Sequence, residues 1–142
     1  MIIEKRVIDF IKEHHVLTLS TAVDNKSYSA NCFYTYHEED NALIFTSDYE
    51  TKHIKDVAQN NYISGSIVLE TSVVGKIQGI QFNGNMYEAK DDLLKKYKKT
   101  YLKRFPFAIL ISTAIWYIDL TFIKMTDNRL GFGKKLIWEK EN

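Results

Sequence analysis

The stretch Phe45-Thr46-Ser47-Asp48-Tyr49-Glu50-Thr51-Lys52-His53 brings hydroxyls, a lysine and a histidine together within a few residues. Its first half reads as a strand that ends in two hydroxyl residues, and its second half opens a helix. A helix N-terminus offers unpaired backbone N–H groups and the positive end of the helix dipole, so an anion can sit there. Thr51 and Lys52 would add a hydroxyl donor and a full charge, which is the chemistry a phosphate monoester requires. The same residues also describe an ordinary helix cap beside a solvated lysine, with Asp48 and Thr51 as the capping side chains.

Other reactive side chains carry weaker signals. Cys32 lies mid-strand with no second cysteine near it, which reads as a buried, inert thiol before a nucleophile. His14, His15, His37 and His53 have no metal-ligand spacing, so no metal is expected. The run Lys95-Lys96-Tyr97-Lys98-Lys99 sits largely opposite the apolar stripe Leu94, Tyr97, Tyr101 and Phe105 on a helical wheel. That is the arrangement of a solvated face. With 19 basic and 18 acidic residues the net charge is +1, which gives no general reason to expect nucleic acid. Gly131-Phe132-Gly133 reads as a turn, because a third glycine and a following helix are missing.

These side chains must be held by an ordered set of elements. Ile3, Val7, Phe10, Ile11 and His14 recur at helical spacing. Three strand-like runs follow, Val16–Ala22, Tyr28–His37 and Ala42–Ser47. Along the second, Cys32, Tyr34 and Tyr36 share one face while Asn31, Phe33 and Thr35 share the other. A short helix carries Ile54, Val57 and Ala58. Strands over Tyr62–Leu69 and Lys76–Ala89 come next, with Gly79 and Gly84 marking a bulge or bend in the longer one. A helix from Lys90 to Arg104 stops before Pro106. A strand from Ile115 to Lys124 and a short run at Leu136-Ile137-Trp138 close the chain. Short connections between strands exclude a doubly wound parallel sheet. They predict one mainly β (α+β) domain over residues 1–142, a six-stranded antiparallel barrel with helices on its rim. No apolar run approaches the length of a membrane span, and the N-terminus lacks the regions of a signal peptide, so a cytoplasmic protein is expected.

Four stretches resemble the flavin-binding split barrels of the pyridoxamine 5′-phosphate oxidase-like superfamily, most closely its YhbP-like group. They are Ser29-Ala30-Asn31-Cys32-Phe33-Tyr34, Thr51-Lys52-His53, Ile77 to Gly84, and the tail from Phe122 to Trp138. Lys103-Arg104-Phe105-Pro106 lies between them. The resemblance implies a homodimer with FMN bound at the interface. Asn31, Cys32, Phe33, Thr46 and Ser47 would lie beside the isoalloxazine, and Thr51 and Lys52 would hold the phosphate. Such oxidases often carry two consecutive basic residues there, and here the second is His53. The partner subunit would contribute Gln78 and aromatic surface, for which Trp116 is the match. The residues that grip a substrate phosphate in the oxidase have no match in this chain, so oxidation of vitamin B6 is not implied. The expectation is an FMN-dependent oxidoreductase acting on an unidentified small molecule. The alternative is a non-catalytic module that stores or senses flavin or haem. No catalytic residue is assigned; Tyr34 and His37 are the nearest titratable groups on the strand expected to face the ring.

Overall fold

Alternation of side chains along the strands decides which face becomes core. In a computed structural model that describes residues 2–110 and 112–142, β1 (Val16–Val23) turns Leu17, Leu19 and Thr21 inward. The next strand, β2 (Lys26–His37), does the same with Cys32, Tyr34 and Tyr36. Asp24 and Asn25 make the turn between them with positive φ, which these residues tolerate better than most. β3 (Ala42–Ser47) is buried on both faces. Leu43 and Phe45 enter the barrel interior, while Ala42 and Ile44 lie in a second cluster with Tyr97 and Tyr101 of the long helix and Phe105 just past its end.

The remaining strands are β4 (Tyr62–Val68), β5 (Gln78–Glu88), β6 (Ala114–Asp127) and β7 (Lys135–Glu139). All pairings are antiparallel in the order β3-β2-β1-β4-β5-β6-β7, and an additional β3–β6 pairing closes the first six into a ring. The six-stranded barrel expected from the sequence is therefore present, with β7 as a seventh strand outside the ring. β6 makes this possible because one of its edges is divided. Residues 114–119 pair with β3, and residues 122–126 pair with β7. Its other edge carries β5 along most of its length, with one register shift at Asn83/Gly84. The bulge thus falls at Gly84, while Gly79 sits in regular pairing. A Cβ on Gly84 would lie 2.6 Å from the Asp119 carbonyl oxygen, so a larger residue does not fit.

Three helices cover the barrel: α1 (Lys5–Glu13), α2 (Lys52–Gln59) and α3 (Asp91–Arg104). α1 buries Val7, Phe10 and Ile11, the stripe read from its spacing. α3 buries Tyr97 and Tyr101 and leaves Lys95, Lys98, Lys99 and Lys103 in water. Its C-terminal Arg104 donates to the carbonyls of Tyr34 (2.9 Å), Lys12 (3.0 Å) and His14 (2.5 Å). One guanidinium so pins α3 to β2 and to the end of α1. A single-turn 3-10 segment, Pro106–Leu110, continues from α3. No helix among the described residues is long and apolar enough to cross a membrane.

Candidate functional site

The middle of β2, the C-terminal end of β3 and the end of α3 enclose a cleft of about 240 Å³. Asn31, Cys32 and Phe33 come from β2, Thr46 and Ser47 from β3, and His53 from the first turn of α2. Tyr101, Phe105, Phe107 and Ala108 form the opposite wall. A second lobe of about 280 Å³ shares Thr46, Tyr101 and Ala108 with the first and extends between β6 and α3. The aromatic wall is continuous: Phe105 packs edge-on against Phe33 and Phe107, with centroids 6.0 and 6.3 Å away. Phe33 and Phe107 are 61% and 67% exposed. A planar apolar ligand is the natural partner of such a wall.

The polar side of the cleft is built around His53. Its Nε2 lies 2.8 Å from Ser47 Oγ and 3.4 Å from Thr51 Oγ1. Burial pushes the imidazole below its ordinary pKa, and the Asp56 carboxylate opposes this more weakly. The ring is accordingly neutral at pH 7. Cys32 is pushed up to about 11 by burial, so its thiol stays protonated. This agrees with the inert thiol read from the sequence.

Lys52 is turned to the outside. Its Nζ sits 3.1 Å from both carboxylate oxygens of Asp56 and 5.0 Å from the centre of the Tyr28 ring. Asp56 also accepts from Thr21 Oγ1 at 2.8 Å. These two donors hold the carboxyl below its usual range, Thr21 contributing most. Thr51 occupies the N-cap position without capping. Its hydroxyl donates to the Asp48 carbonyl at 2.8 Å, and Asp48 Oδ1 accepts from Glu50 N–H. Both expected caps are consumed by the preceding turn, so no side chain caps the start of α2.

Six of the residues singled out in the sequence thus line one cleft: Asn31, Cys32, Phe33, Thr46, Ser47 and His53. Thr51 and Lys52 stand just outside it. Gln78 lies elsewhere on the chain, in a polar depression with Lys5, Arg6, Asp9 and Arg129. Trp116 is 8% exposed and donates its indole N–H to the Ser47 carbonyl at 3.2 Å. Being enclosed in its own barrel, it presents no free aromatic surface. Tyr34 has no exposed surface, and its hydroxyl is spent on the Ile11 carbonyl at 2.6 Å. His37 accepts from Asp40 N–H and packs on Tyr97, away from the cleft. Neither titratable group of that strand reaches the site. Tyr101, Phe105, Phe107 and Ala108 were missed as lining residues. Their signal was Lys103-Arg104-Phe105-Pro106, where a helix breaks and an apolar turn follows. Among the described residues no group of three His, Cys, Asp or Glu side chains converges as a metal site.

No family model matches the chain. A UPF0306 protein of Photorhabdus laumondii is 37% identical over 131 residues, 92% of each chain. A UPF0306 protein of Yersinia enterocolitica is also 37% identical, over 92% of this chain and 89% of its own. Among solved structures, a haem binding protein from Mycobacterium smegmatis superposes with a TM-score of 0.79 at 13% identity. The match takes in 98% of this chain and 60% of that longer one. An FAD binding protein from the same organism gives 0.71 at 17% identity, with 89% and 97% covered. A Listeria innocua protein named for pyridoxamine 5′-phosphate oxidase gives 0.65 at 13%, with 84% and 94% covered. These likenesses establish the split-barrel fold that the sequence resemblance implied.

Proposed function

This chain belongs to the UPF0306 family, and we propose that it is an FMN-binding oxidoreductase acting on a small molecule. The observation that carries the reading is the cleft, where polar groups of β2 and β3 face an aromatic wall across a gap of ligand size. The residues fit the group on three counts. Phe33, Phe105 and Phe107 offer apolar rings to a planar heterocycle. Asn31 and Thr46 offer hydrogen-bonding groups along one edge, and Ser47 lies between that edge and His53. The uncapped start of α2, with Thr51, Lys52 and His53, offers N–H groups and cationic character to a phosphate. The two adjoining lobes together suit a ligand pocket better than either alone.

When bound, flavin supplies the electron-transfer chemistry, and the protein supplies position, hydrogen bonds and a dry wall. Trp116 serves this site by fixing the Ser47 carbonyl from behind. The exposed rings expected of Trp116 are supplied by Phe33 and Phe107. In a homodimer, Gln78 of each copy would act on the partner's cleft, since it stands away from the cleft of its own chain. The YhbP-like grouping belongs to this proposal and rests on the same four sequence stretches. A non-catalytic flavin or haem module is the second reading, and the haem binding protein of M. smegmatis with the same fold favours it.

The test is titration of the apo-protein with FMN and riboflavin, followed by visible absorbance. One FMN per chain is expected. Lys52→Ala should weaken FMN about tenfold through loss of a charge-assisted contact and leave riboflavin unchanged. Because Lys52 rests on Asp56, it must exchange that partner for the phosphate. Failure of any flavin to bind at micromolar concentration overturns the reading. Reduction of the loaded protein by NADH or NADPH with turnover on an acceptor favours the enzyme over the module.

A further inference from the structure

We propose that His53, working through Ser47, is the group inside the cleft that meets the ligand's phosphate, and that it takes up a proton to do so. This rests on the flavin reading and adds to it the means by which charge is matched. The geometry begins with a deficit. Asn31, Cys32, Phe33, Thr46, Ser47, Tyr101, Phe105, Phe107 and Ala108 line the first lobe with His53, and none brings a permanent charge. The nearest cation in sequence, Lys52, is held outside by both oxygens of Asp56. Until Lys52 leaves Asp56, an anion drawn to the start of α2 therefore meets hydroxyls, backbone N–H groups and one imidazole, and Lys98 lines only the second lobe.

His53 is placed to answer it. It is 8% exposed, lines the cleft, and has Ser47 Oγ at 2.8 Å. With the ring neutral and Nε2 accepting, the Ser47 hydroxyl hydrogen is spent on His53. When Nε2 gains a proton from solvent, the direction reverses: Nε2–H donates to Ser47 Oγ, and the serine hydrogen is released toward the ligand. One proton is gained from bulk water, and no bond to the ligand is made or broken. The incoming negative charge stabilises imidazolium against the burial that disfavours it. By linkage, protonation and anion binding strengthen each other equally.

The other groups that face His53 do not titrate between pH 6 and 9. From its own helix, Asp56 stays ionised, held low by Thr21 and Lys52. From β2 the Cys32 thiol, and from α3 the Tyr101 phenol, are both raised by burial and stay neutral. Thr51 and Ser47 complete the surroundings with hydroxyls. The phosphate of FMN itself titrates near about pH 6, so the window above about pH 7 reports on the protein alone.

The experiment measures FMN and riboflavin affinity from about pH 7 to 8.5 for the wild type and His53→Gln, beside calorimetry of the wild type in buffers of different ionisation enthalpy. FMN affinity of the wild type should fall with rising pH, by up to about tenfold per unit for one linked proton. Riboflavin affinity should be flat. His53→Gln should bind FMN weakly with no slope. Calorimetry near pH 7 should detect uptake of a fraction of a proton approaching one with FMN and none with riboflavin, which decides the matter if the variant does not fold. FMN binding without slope or proton uptake overturns this inference and leaves the flavin reading intact. Absence of binding by either flavin overturns both.

Discussion

Asp127 has no exposed surface, yet it is surrounded by donors. Arg129 contributes its backbone N–H (3.0 Å), Nε (3.0 Å) and Nη2 (2.9 Å), and Arg6 contributes Nη1 at 3.2 Å. Arg129, then Arg6, hold the carboxyl below its usual range despite burial. A depressed carboxyl pKa stabilises the fold above the unfolded value of 3.8, and that contribution is lost as the pH falls from there through the native pKa. Asp127→Asn should therefore lower stability at pH 7 by about 2 kcal/mol, since both arginines stay half-solvated, one acceptor oxygen remains, and the charge and the other acceptor are lost. The variant should also show a shallower acid limb, and urea unfolding followed from pH 7 to 2.5 checks both effects. At this scale the sequence disclosed residue types more readily than their commitments. Lys52 looked free for a phosphate, but Asp56 four residues on shares its helix face and is buried. Tyr34 looked titratable, but its partner, the Ile11 carbonyl, lies on another element and leaves no local trace. His53 was visible as a departure from two consecutive cations, but its link to Ser47, six residues back across the turn between β3 and α2, is seen only in the structure.

The elements were legible wherever burial has a period. α1, β1, β2 and α3 show clean stripes or alternation, and each lies within a few residues of its expected bounds. β6 runs longer than expected, from Ala114 to Asp127, because β5 and β7 together pair it well past Lys124. Such partners are distant in sequence and invisible in a local window. Gly84 is a case where composition hinted at a bulge and the structure gives the cause. At the shift, Asn83 faces Phe122 and Gly84 faces Leu120, so Thr121 is the extra residue and the Asp119 carbonyl crowds the glycine. Gly84→Ala should destabilise the protein by about 1–3 kcal/mol, as overpacking does. Gly79→Ala should cost less, because its nearest contact would be an ordinary 3.5 Å. Thermal unfolding of the two variants side by side makes the comparison, and equal losses would remove the crowding explanation.

For the whole molecule, the outward faces of the strands differ in how much apolar surface they leave in water. The outward side chains of β5 are Gln81, Asn83, Asn85 and Tyr87, mostly polar. One group of exposed apolar side chains lies at mid-β2 and just past the end of α3, with Phe33, Phe107, Ile109 and Leu110, the last 87% exposed. Cleft and patch thus share a border, which suits the proposed homodimer with its site at the interface. Light scattering should return twice the 16.6 kDa chain mass. Phe107→Glu with Leu110→Glu should return a single mass while leaving the far-ultraviolet dichroism unchanged. A monomeric wild type at micromolar concentration would remove the shared site. The divided edge of β6 also bears on how the molecule is made. Synthesis delivers the chain from its N-terminus, and β3 must wait through roughly seventy residues for the strand that closes its ring. Until β6 exists, β3 and β5 both present open edges to a crowded cell, and the walls of the cleft face no completed sheet. Because long-range pairings cost loop entropy before they gain contacts, closure should be the slow step of folding. The protein's vulnerability to aggregation then belongs to its birth, a brief interval that ends when one late strand arrives.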